Sequence, residues 1–295
     1  MNSNRQWNQS ASYFLLCAVT FGMAIISALE STRVVGQTPT AAAQPAKFKP
    51  TKFKPACVTP SYPTPAPTSS LGIDSQCGLA GAGVGPEGQQ DSVKNNFCAK
   101  GTPQTITIDD LTKLQGQVEQ NQAINFGNEN KGTRMRGPTT NRAPLKKLGE
   151  GKLVTLKAFI LIARQEGGES VNCGKNVPDG ALFHDIHISL VGSTDIDNEC
   201  SGVVAEMSPH RRPDSWTHGN VEAVAKQKLP VRVTGQLYFD SSHFPCSNGQ
   251  GAGEGNPKRV SLWEIHPIYK FEVCTADCDG AGKWLVLDEW AKQKK

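Results

Sequence analysis

The sequence contains no C-x-x-C pair, no G-x-S-x-G and no glycine loop set between a strand and a helix. The first absence removes thioredoxin-type redox chemistry and a cysteine-built zinc knuckle, since Cys274 and Cys278 stand four apart in "CTADC". The second leaves Ser170, in "GESVNC", without the elbow that exposes a hydrolase nucleophile. The third removes a phosphate cradle, because "CGLAGAGVGPEG" follows no predicted strand and opens no predicted helix. A basic excess is missing too. The formal charge of +4 comes from the N-terminus: six of the 31 Lys and Arg precede residue 56, against one of the 27 acids, Glu30. The remaining 25 bases and 26 acids create no field for a polyphosphate. Outward aromatics are few, chiefly Phe183 and Tyr238, so nucleic acid is not an expected partner.

What is present divides the chain into five. Residues 12–29 are almost unbroken apolar residues after a polar head with one charge, Arg5, so 1–32 reads as a signal peptide or an uncleaved membrane anchor. Both readings export the rest of the chain, to leave it periplasmic, secreted or membrane-anchored. Residues 33–70 are a disordered Pro/Ala/Thr/Lys tether. Its tandem "KFKPTKFKP" is either a contact to the cell envelope or a solvated spacer. Residues 71–148 are a Cys-containing loop and a short helix that packs on the β-rich segment C-terminal to it. Thr107 is that helix's predicted N-cap, and Leu111, Leu114 and Val118 form its apolar face. Residues 149–275 have β texture, and 276–295 form a C-terminal extension. An exported chain with eight cysteines beyond the apolar segment is expected to hold disulfides, and Cys77–Cys98 and Cys173–Cys200 are the preferred pairs.

Within 149–275 the order is three strands, a helix over "DSWTHGNVEAVAKQKL" and two more strands. This predicts a mainly β domain, a five-stranded OB-like Greek-key barrel with its helix between strands three and four. Side chains alternate across a strand. In "LFHDIHISLVG" that puts Leu182, His184, Ile186, Ile188 and Leu190 inside, and Asp185 and His187 outside. The same parity sends Glu206 outward from the third strand and Glu264 and His266 outward from the fifth. OB order sets the third strand between the second and fifth, about 4.8 Å from each, so these five residues should converge. Two imidazoles with carboxylates suit Zn²⁺, Mn²⁺ or Ni²⁺, with Asp185, His187, Glu206 and His266 as ligands. The plainer alternative is a set of cross-strand charge pairs on a solvated face, with Arg211, Arg212 and Arg259 as partners. Arg211 and Arg212, in "SPHRRPDSW", are also candidates for an anion-binding rim. His184 reads as a core histidine, and Asp240 and His243 as part of a turn tied by Cys246.

The blocks "GESVNC", "HDIHISL", "VVAEMSPHRRP", "VRVTGQLYFDSSH" and "SLWEIHPIYKFEV", spread over residues 94–273, resemble a group of exported bacterial proteins with an OB-like barrel and no assigned activity. The resemblance implies the fold and an exported location. Two functions then compete: a binding module for an unknown ligand, carried on the outer face of strands two, three and five, and a metal-dependent hydrolase or nuclease built on that same face.

Overall fold

The computed structural model describes residues 63–65, 73, 78–127, 141–174, 182–246 and 256–294. All belong to one compact unit, Ala46–Lys295. The expected signal or anchor segment, most of the tether and the 128–140 loop lie outside the described residues. Among those described, no helix is long and apolar enough to cross a membrane.

Seven strands form one sheet: β1 (Gln104–Ile106), β2 (Leu153–Gln165), β3 (Ile186–Val191), β4 (Val203–Met207), β5 (Pro230–Phe239), β6 (Trp263–Ala276) and β7 (Lys283–Val286). The hydrogen-bonded order β2–β3–β4–β6–β5 closes because β2 also pairs with β5. The first half of β2 faces β5, Leu153 opposite Gln236, and its second half faces β3, Gln165 opposite Ile186. A shift of register between Ile160 and Ile162 lets the long strand turn from one partner to the other. With β4 and β6 parallel and the other barrel pairs antiparallel, this is a closed, mixed, five-stranded OB-like barrel. Gly235 makes one contact possible: a Cβ there would lie 2.4 Å from the Pro267 carbonyl oxygen, where β5 and β6 slip register.

Alternation fills the barrel as expected. Ile186, Ile188 and Leu190, Val203, Ala205 and Met207, Val231, Val233, Leu237 and Phe239, and Trp263 and Ile265 all belong to one buried core. The inter-strand helix, here α4 (His218–Lys226), is capped by Thr217 and adds Val221 and Val224 to that core. Before the barrel, α1 spans Pro86–Lys94, α2 Ile108–Gln120 and α3 Ala143–Leu148; after it, α5 spans Leu287–Lys292. In α2 the predicted cap holds: Thr107 Oγ1 accepts the Asp110 N–H at 3.1 Å, and Asp110 Oδ2 accepts the Thr107 N–H at 3.0 Å.

Several expectations change. β3 begins at Ile186, and Leu182, assigned to the barrel interior, is 58% exposed in the turn before it. The stretch read as loop around residues 78–100 contains α1. Its sequence "PEGQQDSVK" has one aliphatic side chain, so no apolar period marks it. The tether reading does not extend over Thr64, whose N–H donates to Tyr269 O at 2.8 Å beside β6. The predicted Cys173–Cys200 pair is replaced by Cys200–Cys246, which joins the β3–β4 and β5–β6 connections. Cys274–Cys278 is also bonded. Cys98 and Cys173 are also disulfide-bonded, and Cys77, the expected partner of Cys98, lies outside the described residues.

Candidate metal centre

The five predicted residues do come together. Glu206 stands opposite His187 across β3–β4, and β4 runs beside β6 with Ala205 opposite Ile265. Neighbours on the outer face therefore include Glu206, Glu264 and His266. The expectation of a wet face is wrong. Asp185, Glu206, Glu264 and His266 are fully buried and His187 is nearly so. The chain covers its own barrel: α1 and the residues after it lie over this face. Asn96 Nδ2 donates to Gln236 Oε1 at 3.1 Å, and Gln236 Nε2 donates back to Val93 O and to His266 O, both at 3.0 Å. Asn95 ties the cover to the 170 segment by donating to Val171 O at 3.1 Å.

Lys94, from the last turn of α1, reaches into the cluster. Its Nζ is 2.9 Å from Glu206 Oε2, 3.4 Å from Asp240 Oδ2 and 3.8 Å from Glu264 Oε1. Burial alone would discharge this ammonium, but Glu206 and Asp240 outweigh it and hold the pKa well above that of a free lysine. Arg259, also fully buried, donates from Nη1 to Glu264 Oε2 at 2.9 Å.

The two histidines are oriented by the main chain. His266 Nδ1 is 2.7 Å from Lys94 O and His187 Nδ1 is 2.8 Å from Asn256 O. A carbonyl can only accept, so Nδ1 carries the proton in both rings, and Nε2 is left to give its lone pair to a cation or to carry a second N–H. His266 Nε2 is 3.3 Å from Glu206 Oε2 and 3.7 Å from Asp185 Oδ2. His187 Nε2 is 3.3 Å from Glu206 Oε2 and 3.7 Å from Glu169 Oε1. Neither Nε2, nor either oxygen of Asp185 or Glu206, has a partner in hydrogen-bond geometry among the described residues. Burial disfavours a charged His187, yet Glu206, with Glu169 behind it, pushes its pKa up to about 10. Burial raises Asp185 and Glu206, and their histidine neighbours, with Lys94, bring both below the ordinary carboxylate range.

The predicted rim does not join this site. Arg212 is buried, and its Nη1 donates to His184 O at 2.9 Å and Met207 O at 3.4 Å, fixing the turn before β3. Arg211 lies over the Phe97 ring, 5.9 Å from its centroid. Of the three arginines offered as partners, Arg259 fills that role. Sequence reasoning passed over Lys94, Glu166 and Glu169. Glu169 opens onto the "ESVNC" run that carries Ser170, but Lys94 belongs to a helix with no apolar pattern.

A cleft of about 260 Å³ opens beside the cluster, lined by Lys94, Glu169, Asp240, His243 and Asp91 among others. Here Asp240 and His243 meet, Oδ2 to Nε2 at 3.6 Å, in the turn after β5. Burial pushes Asp91 up to about 8, with Lys94 pulling the other way. A carboxyl whose folded pKa is raised contributes stability that is complete below its unfolded value and lost as pH rises through about 8. From about pH 7 to pH 9 the native chain should lose about 1.4 kcal/mol on this account, or about 3–6 °C in Tm. Asp91→Asn should flatten that slope in thermal melts; an unchanged slope would place the titration elsewhere.

No protein-family model, no curated protein and no solved structure matches this chain, so the site stands on its own geometry.

Proposed function

We propose that the buried cluster is a divalent-metal centre and that the protein is an exported, metal-dependent hydrolase working through it. One observation carries this reading. Two imidazoles, each fixed through Nδ1 to a main-chain carbonyl, turn buried Nε2 atoms to 3.3 Å from Glu206 Oε2, and His266 Nε2 to 3.7 Å from Asp185 Oδ2. An outer hydrogen bond on Nδ1 is how metal-ligating histidines are commonly held. Lys94 already meets Glu206, but neither oxygen of Asp185 has a partner in hydrogen-bond geometry among the described residues; an orphaned buried group costs about 1–3 kcal/mol, more when charged, and a cation removes that cost. Zn²⁺ and Mn²⁺ suit two nitrogens with carboxylates. A bound ion would lower the pKa of a coordinated water and stabilise charge on a substrate oxygen. The cleft meets the cluster at Glu169, whose side chain is 33% exposed, so water and substrate approach from there. Export is supported by the disulfides, which persist in oxidising compartments.

After chelation and dialysis against Zn²⁺ or Mn²⁺, the full chain should retain metal. His266→Ala should weaken retention by more than about 100-fold, beyond what the loss of a supporting hydrogen bond does. Turnover of p-nitrophenyl phosphate, bis(p-nitrophenyl) phosphate or p-nitrophenyl acetate should appear on loading and vanish in His266→Ala. No turnover by loaded protein retires the hydrolase. No retained metal retires the centre itself. In that case Lys94, already 2.9 Å from Glu206, is the cation of a structural network, and the binding-module reading stands.

A further inference from the structure

We infer that the centre takes two divalent ions, with Glu206 as the carboxylate between them; this rests on the cluster being a metal centre. The surroundings of the two histidines repeat each other. Each donates Nδ1–H to a main-chain carbonyl, at 2.7 Å for His266 and 2.8 Å for His187. Each turns a buried Nε2 toward a carboxylate of its own at 3.7 Å, Asp185 Oδ2 for His266 and Glu169 Oε1 for His187. Each Nε2 lies 3.3 Å from the same oxygen, Glu206 Oε2. Ligand atoms held at about 2.0–2.1 Å by a tetrahedral ion are about 3.3–3.4 Å apart. Both half-sites therefore already have close to the edge length that an ion would set.

The ligand atoms also separate into two groups. Those of Asp185, Glu206 and His266 lie within 4.8 Å of one another, and so do those of Glu166, Glu169 and His187. The first group is sealed, while the second reaches solvent through Glu169 at the cleft. Glu166 sits on the other edge of its imidazole, 3.5 Å from His187 Nδ1, and accepts from Asn256 Nδ2 at 3.4 Å. Its oxygen belongs with those of Glu169 and His187 to the second group of ligand atoms. Glu206 Oε1 is buried and without a hydrogen-bond partner among the described residues.

Charge points the same way. Six carboxylates meet on this face: Asp185, Glu206, Glu264, Asp240, Glu166 and Glu169. The permanent cations in contact with them are Lys94 and Arg259. Lys94 keeps Asp240 and Glu264 as partners when Glu206 turns to metal.

The test is Mn²⁺ loading of the chelator-stripped full chain, read by elemental analysis and electron paramagnetic resonance. Two Mn²⁺ per chain with an exchange-coupled spectrum are expected. Glu169→Gln and Asp185→Asn should each leave one ion with the six-line spectrum of isolated Mn²⁺. One ion in the wild-type chain, or two with uncoupled spectra, overturns the pair and leaves the single-ion centre standing. No ion overturns both. The wild-type count decides even where a variant fails to fold.

Discussion

Arg259→Met should lower the unfolding free energy by about 3–5 kcal/mol, the range for breaking one partner out of a buried ion pair. Arg259 and Glu264 have no exposed surface, and their contact is 2.9 Å. Without the guanidinium, Glu264 keeps only the 3.8 Å approach of Lys94 while sharing that cation with Glu206 and Asp240. Burial and Glu206 already push the Glu264 carboxyl well above the usual range against the pull of Lys94 and Arg259, so without the guanidinium it takes a proton. Replacing the pair together, Arg259→Met with Glu264→Leu, removes the orphan as well as its partner. That double variant should regain at least half of the loss in urea unfolding, since apolar replacement of a buried pair is often close to neutral. A double variant as unstable as the single one would show that Arg259 acts through packing.

Loss of the Cys200–Cys246 bond should cost about 4 kcal/mol, from the chain entropy released when a loop between cysteines 46 positions apart is opened. The bond fastens the short 3-10 helix Glu199–Ser201 to the connection that precedes β6. That connection also carries Arg259, whose carbonyl accepts the Cys246 N–H at 2.8 Å. The Cys200→Ala/Cys246→Ala variant should therefore melt lower without reductant and lose the sensitivity to dithiothreitol that this bond contributes. A change below about 1 kcal/mol would mean that the unfolded chain is already held in that loop by other contacts.

The site was half legible in the sequence, and the legible half has a simple cause. Alternation of side chains is a local rule, and it placed Asp185, His187, Glu206, Glu264 and His266 on one side of their strands with Ile186, Ala205 and Ile265 on the other. The position of a helix after three strands and before two then set which strands are neighbours. Solvation of that face had no such rule. A polar outer face reads as wet when nothing apolar in the sequence offers to cover it. The cover here is itself polar, with Gln90, Asp91 and Lys94 buried along α1, and it is held by hydrogen bonds between residues more than a hundred positions apart. Arg211 and Arg212 take other contacts for a related reason. Their charges suggested an anion, but burial turned Arg212 toward main-chain carbonyls.

The sequence by itself determined the five barrel strands, the two helices capped by Thr107 and Thr217, the barrel order and the side of each strand on which the chemistry stands. These come from periodicity, turn residues and caps, which act over a few neighbouring positions. Only the tertiary structure decided that α1 closes over the outer face, that Lys94 gives its carbonyl to His266 and its ammonium to Glu206, and that Cys200 takes Cys246. Those outcomes depend on which distant surfaces meet when the chain compacts. A buried carboxylate accepts whichever cation or proton the packing brings within about 3 Å, and no local pattern of residues encodes that choice.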